Sequence, residues 1–192
     1  MFDMKKFRTL SLLALSIVLW ITTFTLVTSC RKKNDEPKPV KKAEAVVSST
    51  GAETSVTGLL KFSQEEKGPV KLELEVSVPS RANQSVAVHI HEHGGCGNAG
   101  GDAHGHWNPT AKQHGQWGSS SYHAGDIGNI TLDANGKGKL VLETTLWSIG
   151  GDDNTNILNK GIIIHGGVDD YTTQPTGNSG PRIGCGMIMQ KQ

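Results

Sequence analysis

The sequence predicts an all-β domain, an antiparallel sandwich or barrel, behind an N-terminal leader and linker. From Val70 to Val78, apolar residues take every second position and Lys, Glu or Ser the positions between, as in a half-buried strand. Turn signals such as Asn135-Gly136 separate several runs of this kind. All 24 glycines follow Thr50, and no segment has the period of an amphipathic helix, so we expect any helix to be short and confined to loops.

The first 29 residues have the layout of a signal peptide. Basic residues precede an uncharged apolar stretch from Leu10 to Val27, which leads into Thr28-Ser29-Cys30. A small residue directly before Cys30 resembles the lipid-attachment motif of bacterial lipoproteins. We therefore expect residues 1–29 to be removed and Cys30 to carry lipid, giving an exported protein held at a membrane of the cell envelope, on its periplasmic or surface side. The alternative is an uncleaved transmembrane anchor, because the apolar stretch just reaches spanning length.

Residues 30–53 are rich in Lys, Glu, Pro and Ser and contain few large apolar residues. A segment of this composition buries too little surface to fold alone. We expect it to be a flexible tether, followed by one domain over residues 54–192, which is enough chain for a single core. The formal net charge of the chain is only +1, so the sequence does not indicate a basic surface for binding nucleic acid. The sequence is compatible with a monomer or a homodimer.

Seven segments of the domain have a strand pattern, and two long segments have none. The loops, Glu92–Asp126 and Gly166–Cys185, are rich in Gly, Ser, Asn and His. Long loops in compact domains are usually functional. The predicted strands are Val56–Phe62, Val70–Val78, Ser85–His91, Ile127–Leu132, Lys139–Leu146, Ile162–His165 and Gly186–Met189.

All eight histidines lie between His89 and His165, a clustering that points to metal binding. His89 and His91 are two apart on a predicted strand, so both imidazoles face the same side. A lone His-x-His pair is as often accidental as functional, and the next motifs decide more. Three imidazoles and one carboxylate follow within a short stretch, a set suited to tetrahedral zinc: His106, His114, His123 and Asp126. A zinc hydrolase is the weaker alternative, because the β-rich pattern disfavours its usual fold.

Three cysteines are an odd number for an exported protein. If Cys30 carries lipid, Cys96 and Cys185 remain, either as a disulfide or as two free thiols.

Five motifs, in this order, closely resemble the copper/zinc superoxide dismutase family from about Val56 to the C-terminus. They are His89-x-His91, His106-Trp107-Asn108-Pro109, His123-x-Gly125-Asp126-x-Gly128-Asn129, Ile164-His165 and Thr176-Gly177-Asn178-Ser179-Gly180-x-Arg182-x-x-Cys185-Gly186. The resemblance implies an eight-stranded Greek-key β-barrel with two long functional loops. It also implies an enzyme that converts superoxide to dioxygen and hydrogen peroxide.

The resemblance implies a role for each site residue. Copper would be held by His89, His91, His106 and His165, and zinc by His106, His114, His123 and Asp126, so that His106 bridges the two metals and takes part in catalysis. Asp169 would orient His89 and His114, Arg182 would attract and orient the anionic substrate, and Cys96 would form a disulfide with Cys185. His93 and His104 lie outside this ligand set. The alternative function is a copper- or zinc-binding or copper-delivery protein of the same fold, without turnover.

Overall fold

The computed structural model describes residues 40–66 and 68–192. These residues form nine β-strands and two short 3-10 helices, Pro79–Arg81 and Asn98–Ala103, which lie in connections between strands. The predicted signal peptide and Cys30 lie outside the described residues. The strands are β1 Val40–Ser49, β2 Thr57–Glu65, β3 Val70–Ser77, β4 Ser85–His91, β5 Gly128–Thr131, β6 Lys137–Thr144, β7 Gly161–His165, β8 Arg182–Met187 and β9 Met189–Lys191.

Eight of the strands form one antiparallel sheet in the order β5-β4-β7-β8-β1-β2-β3-β6, and β9 pairs with β1. The sheet curls until its two end strands approach each other: a Cβ added to Gly138 of β6 would lie 2.6 Å from a side-chain carbon of Ile130 in β5. The result is a nearly closed eight-strand barrel. The predicted fold class is therefore confirmed.

The interior of the barrel follows the period of two in the sequence. In β3 the side chains of Val70, Leu72, Leu74 and Val76 are buried, whereas Glu73 and Glu75 are exposed. Each fully buried aliphatic side chain of this kind stabilises the fold by about 1.5–3 kcal/mol.

The tether predicted for residues 30–53 is wrong for Val40–Ser49, which form β1. This strand pairs with β2 over almost its whole length and also contacts β8 and β9. Its inward side chains, Ala43, Ala45 and Val47, are at most 2% exposed. The prediction failed because two of the three inward residues are alanines, next to Lys42 and Glu44, so that the average composition hides a strand. The folded unit therefore includes residues before Thr54.

The two long loops were predicted nearly correctly. Residues 92–127 connect β4 to β5, and residues 166–181 connect β7 to β8. The second loop is shorter than predicted, because the residues from Arg182 to Cys185 belong to β8, and the predicted strand Gly186–Met189 is divided between β8 and β9. Most of β8 is buried on both faces, so it lacks alternation. Its glycines also give it a weaker apolar pattern than Ile162–His165, which is buried on both faces too. No helix in the described part of the chain is long and apolar enough to cross a membrane.

Candidate metal centre

A network of main-chain hydrogen bonds packs the first long loop, residues 92–127, against β4. The N–H of Trp107 donates to the carbonyl of Ile90, the N–H of Ile90 donates to Gly125, and the N–H of Gly125 donates to Trp107, over 2.9–3.0 Å. This close approach requires a glycine, since a Cβ on Gly125 would lie 2.2 Å from the Ile90 oxygen. This network places His106, which precedes Trp107, and Asp126, which follows Gly125, next to the histidines of β4.

The first cluster consists of four buried histidines that sequence reasoning had assigned to copper. His89 and His91 share one face of β4, His165 ends the neighbouring strand β7, and His106 pairs with His91 across an isolated β-bridge. One ring nitrogen from each lies within 4.8 Å of the others. The Nε2 atoms of His91 and His165 are 3.4 Å apart, so both rings aim at the same point.

The second cluster consists of the four residues assigned to zinc, and it shares His106 with the first. The ligand atoms of His106, His114, His123 and Asp126 all lie within 4.8 Å of one another. The carboxylate of Asp126 is 2.8 Å from His106 Nδ1, 3.0 Å from His114 Nδ1 and 3.2 Å from His123 Nδ1. The structure therefore brings together all seven residues named from the sequence, in two groups of four joined by one imidazole.

Four imidazole nitrogens of these clusters are buried without a hydrogen-bond partner among the described residues: His89 Nδ1, His106 Nε2, His114 Nδ1 and His123 Nδ1. The His114 and His123 nitrogens come within 3.2 Å of Asp126 but form no hydrogen bond with it. Leaving a buried polar atom unpaired costs about 1–3 kcal/mol. A bound cation at each cluster would accept these lone pairs, so the residues present fit two metal ions.

In three of these histidines, the ring nitrogen opposite the ligand atom is hydrogen-bonded to a main-chain carbonyl. His91 Nδ1 donates to the carbonyl of His104, His165 Nδ1 to that of Gly180, and His123 Nε2 to that of Lys112, over 2.9–3.3 Å. A donor nitrogen fixed in this way leaves the opposite nitrogen of a neutral ring with its lone pair free. Each of these rings therefore presents a ligand atom in a fixed direction.

Asp169 holds one histidine of each cluster. Its Oδ2 accepts from His89 Nε2 over 2.9 Å, and its Oδ1 accepts from His114 Nε2 over 2.8 Å. Burial acts to raise the pKa of this carboxyl, but the hydrogen bonds from His114 and His89 outweigh burial and hold the pKa well below its usual range. The side-chain amide of Asn129 fixes the main chain of Asp169 on both sides. Gly177 packs against the Asp169 carboxylate and the His114 ring. Its φ is +68°, and these two side chains leave no room for a Cβ.

The state of the shared ring suits metal binding. Burial, acting against the hydrogen bond with Asp126, lowers the pKa of His106 to about 4. His106 is therefore neutral at neutral pH and offers one lone pair to a metal. Joining two metals would also require the loss of its remaining N–H proton, which metal binding releases.

Arg182 begins β8 and lies beside the first cluster. Its guanidinium donates to the carbonyl of Gly100 and to that of His104, each over 2.5 Å. Burial chiefly lowers the pKa of His91 and His165, and the positive charge of Arg182 contributes to both shifts. The guanidinium is partly exposed and has five N–H donors in all, so donors remain for an anion from solvent.

Cys96 and Cys185 form a disulfide, as the resemblance implied. The bond ties the first long loop to β8 and closes a long segment, because the two cysteines are separated by 89 positions in sequence. A disulfide that closes a loop of this length restricts the unfolded chain and thereby stabilises the fold by about 4–5 kcal/mol.

Sequence reasoning missed the carbonyls of His104, Gly180 and Lys112 as partners of the histidines. No sequence signal marks them, because every residue has a carbonyl. Asn129 was part of a quoted motif, but its role in holding Asp169 follows only from the fold.

Comparison with known proteins shows which family this chain resembles. The family model described as copper/zinc superoxide dismutase (SODC) matches residues 56–188. The chain is 36% identical over 143 residues to superoxide dismutase [Cu-Zn] of Yarrowia lipolytica, covering 71% of this chain and 91% of that protein. It is 31% identical over 188 residues to superoxide dismutase-like protein YojM of Bacillus subtilis, covering 90% of this chain and 95% of that protein.

Among solved structures, the crystal structure of the clock protein EA4 superposes with a TM-score of 0.66 at 28% identity. The superposition covers 77% of this chain and 93% of that one. The family match extends over most of the described barrel and includes all seven residues of the two clusters. The chain belongs to the copper/zinc superoxide dismutase family.

Proposed function

We propose that this protein dismutes superoxide to dioxygen and hydrogen peroxide outside the cytoplasm. The observation that carries the proposal is the pair of buried four-residue clusters joined by His106, each with free ring nitrogens aimed inward. The reaction consumes two superoxide ions and two protons. One superoxide loses an electron and becomes dioxygen, and the other gains that electron and leaves as hydrogen peroxide.

The donor sets support copper in the first cluster and zinc in the second. His89, His91, His106 and His165 offer four imidazoles, which suit copper in both of its oxidation states, whereas three imidazoles and the Asp126 carboxylate suit tetrahedral zinc. When bound, copper supplies the one-electron couple, and zinc supplies a fixed charge that does not change redox state.

The side chains around the clusters have separate tasks in this reaction. Arg182 attracts and orients the substrate anion, because its guanidinium is permanently charged and reaches solvent beside His91 and His165. His106 holds its Nδ1 toward Asp126, so its buried Nε2 is the ring atom that faces the first cluster, and it can hold a proton for the product only while it is not a metal ligand. Asp169 keeps the rings of His89 and His114 in one orientation throughout.

Local rather than overall charge would guide the substrate. The folded part carries more acidic than basic side chains, so attraction depends on the field of Arg182 at the site. Focused fields of this kind raise association rates by roughly 10–10³ and weaken as salt rises.

The alternative is a protein that binds or delivers copper or zinc without turnover. The similarity to a protein named superoxide dismutase-like raises it. The complete first cluster and the presence of Arg182 favour the enzyme, because storage alone needs no guanidinium beside the metal.

The test is superoxide removal by the purified protein after loading with copper and zinc, with metal content measured in parallel. The His165→Ala variant, which lacks one ligand of the first cluster, is expected to lose at least 100-fold in rate while keeping zinc. Val168→Ala, an exposed change in the loop that directly follows His165, is the matched control. Metal uptake with no turnover, or turnover that His165→Ala leaves unchanged, would overturn the enzyme in favour of the binding protein.

We also propose that the domain is held at the membrane by lipid on Cys30. The layout of residues 1–30 and the presence of a disulfide, which is typical of oxidising compartments, support export. A Cys30→Ser variant is expected to lose lipid labelling and to leave the membrane fraction. Retention in the membrane with unchanged processing would instead support an uncleaved anchor.

A further inference from the structure

A third group of metal-binding side chains lies outside both clusters, on the surface of the first long loop. Glu92, His93 and His104 each offer a ligand atom, and these three atoms lie within 4.8 Å of one another. The rings of His93 and His104 meet edge to face, with centroids 4.8 Å apart. All three residues are exposed. Within the described residues, no hydrogen bond or ion pair engages their side chains.

The main chain holds this group in place. The N–H of Glu92 donates to the carbonyl of Gly105 over 3.0 Å, and the N–H of His93 donates to that of Ala103 over 3.3 Å. These bonds run the two segments side by side, so that residues eleven apart in sequence present their rings together. Because these bonds already order the main chain of the loop, a metal ion that binds there would cost the protein little conformational entropy.

His104 has an unusual backbone conformation at the centre of this group. Its φ is +60° and its ψ is −141°, a region that residues other than glycine rarely adopt. Its carbonyl accepts hydrogen bonds from Arg182 and from His91 of the first cluster. These bonds hold the main chain of His104 on the side of the first cluster. Its imidazole packs against the ring of His93 instead.

We infer that Glu92, His93 and His104 form a peripheral site for a divalent transition-metal ion, with Cu(II) bound more tightly than Zn(II). Two imidazoles and one carboxylate suit these borderline ions, and a given site of nitrogen and oxygen donors prefers copper among first-row divalent metals. Three protein ligands leave coordination positions for water, so the ion exchanges with solvent. It would sit on the loop segment that anchors Arg182.

The test begins with protein whose buried clusters are filled with copper and zinc and from which loose metal has been removed. Titration with CuSO4, followed by calorimetry and elemental analysis, is expected to show one further equivalent of Cu(II) per chain. Titration with ZnCl2 is expected to show the same stoichiometry at lower affinity. His93→Ala is expected to weaken this additional binding by more than the roughly 10–100-fold that loss of an outer partner costs, and Glu92→Gln is expected to weaken it as well.

The matched control is Glu143→Gln, the same change at an exposed position of β6. It is expected to bind the further equivalent as the unmodified protein does. In every variant the content of the buried clusters is measured separately, so that failure of the proposed function is distinguishable from failure of this site. The absence of a further equivalent, or one that His93→Ala and Glu92→Gln leave unchanged, overturns the inference.

Discussion

Replacement of Asp169 by Asn tests the carboxylate that joins the two clusters. Its two oxygens accept ring N–H groups from His89 and His114 over 2.9 and 2.8 Å, in a fully buried position. An Asn side chain has one acceptor oxygen and one NH2 group, so one of these two ring N–H groups must face a donor. Hydrogen bonds to charged groups contribute about 1.5–3 kcal/mol, and loss of an outer partner weakens metal binding about 10–100-fold.

We therefore expect metal affinity to fall about 10–100-fold, which is about 1.4–2.7 kcal/mol, at the cluster whose histidine faces the NH2 group. A smaller loss is expected at the other cluster, because the negative charge is gone. The assay measures retention of each metal against chelators of graded strength. Asp170→Asn is the matched control, since that neighbouring carboxylate is exposed and, among the described residues, accepts only from Thr172 and Thr173. If Asp169→Asn retains both metals as tightly as Asp170→Asn, the joining role is refuted.

Three further predictions concern packing around the site and the barrel. Gly177→Ala places a Cβ 1.9 Å from Asp169 Oδ1 and is expected to cost about 1–3 kcal/mol of stability, measured by denaturant unfolding of the metal-free protein; an unchanged midpoint would show that the contact relaxes freely. Cys185→Ser removes the disulfide and is expected to cost about 2–5 kcal/mol in the same assay, and a variant as stable as the oxidised parent would contradict the role of loop closure. Ala45→Asp puts an unpaired charge at a fully buried position of β1 and is expected to cost about 3–5 kcal/mol, whereas Val46→Asp, on the exposed face of the same strand, is expected to cost little. Equal effects of these two changes would mean that β1 is not part of the stable barrel.

The fold was predictable wherever side chains alternate strongly in size and polarity. Val70–Ser77 shows the pattern most clearly, and Leu72 and Leu74 are indeed buried while Glu73 is exposed. In β1 the same alternation is carried by Ala43 and Ala45, next to two lysines and one glutamate, so average hydrophobicity predicted a tether. The strand is stabilised by its pairing with β2 and β8, a tertiary contribution that the local sequence does not record.

The candidate site was predictable to the extent that its chemistry resides in side chains. The positions of His106 and Asp126 follow from motifs, and the structure places both beside β4. Their arrangement depends on main-chain contacts, such as the Gly125 bonds to Ile90 and Trp107. These contacts require the glycine, but the sequence does not identify its main-chain partners. The proximity of His93 to His104 has the same origin, since two loop segments must lie side by side before the rings can meet.

The location of each metal relative to His106 tests most directly whether this ring joins a copper site to a zinc site. Crystals of the protein loaded with copper and zinc would be measured with X-rays at the absorption edge of each element. We expect one copper peak among His89, His91 and His165, one zinc peak among His114, His123 and Asp126, and the His106 ring between the two peaks. Copper and zinc mixed within a single cluster, or a His106 ring in contact with neither peak, would contradict this expectation.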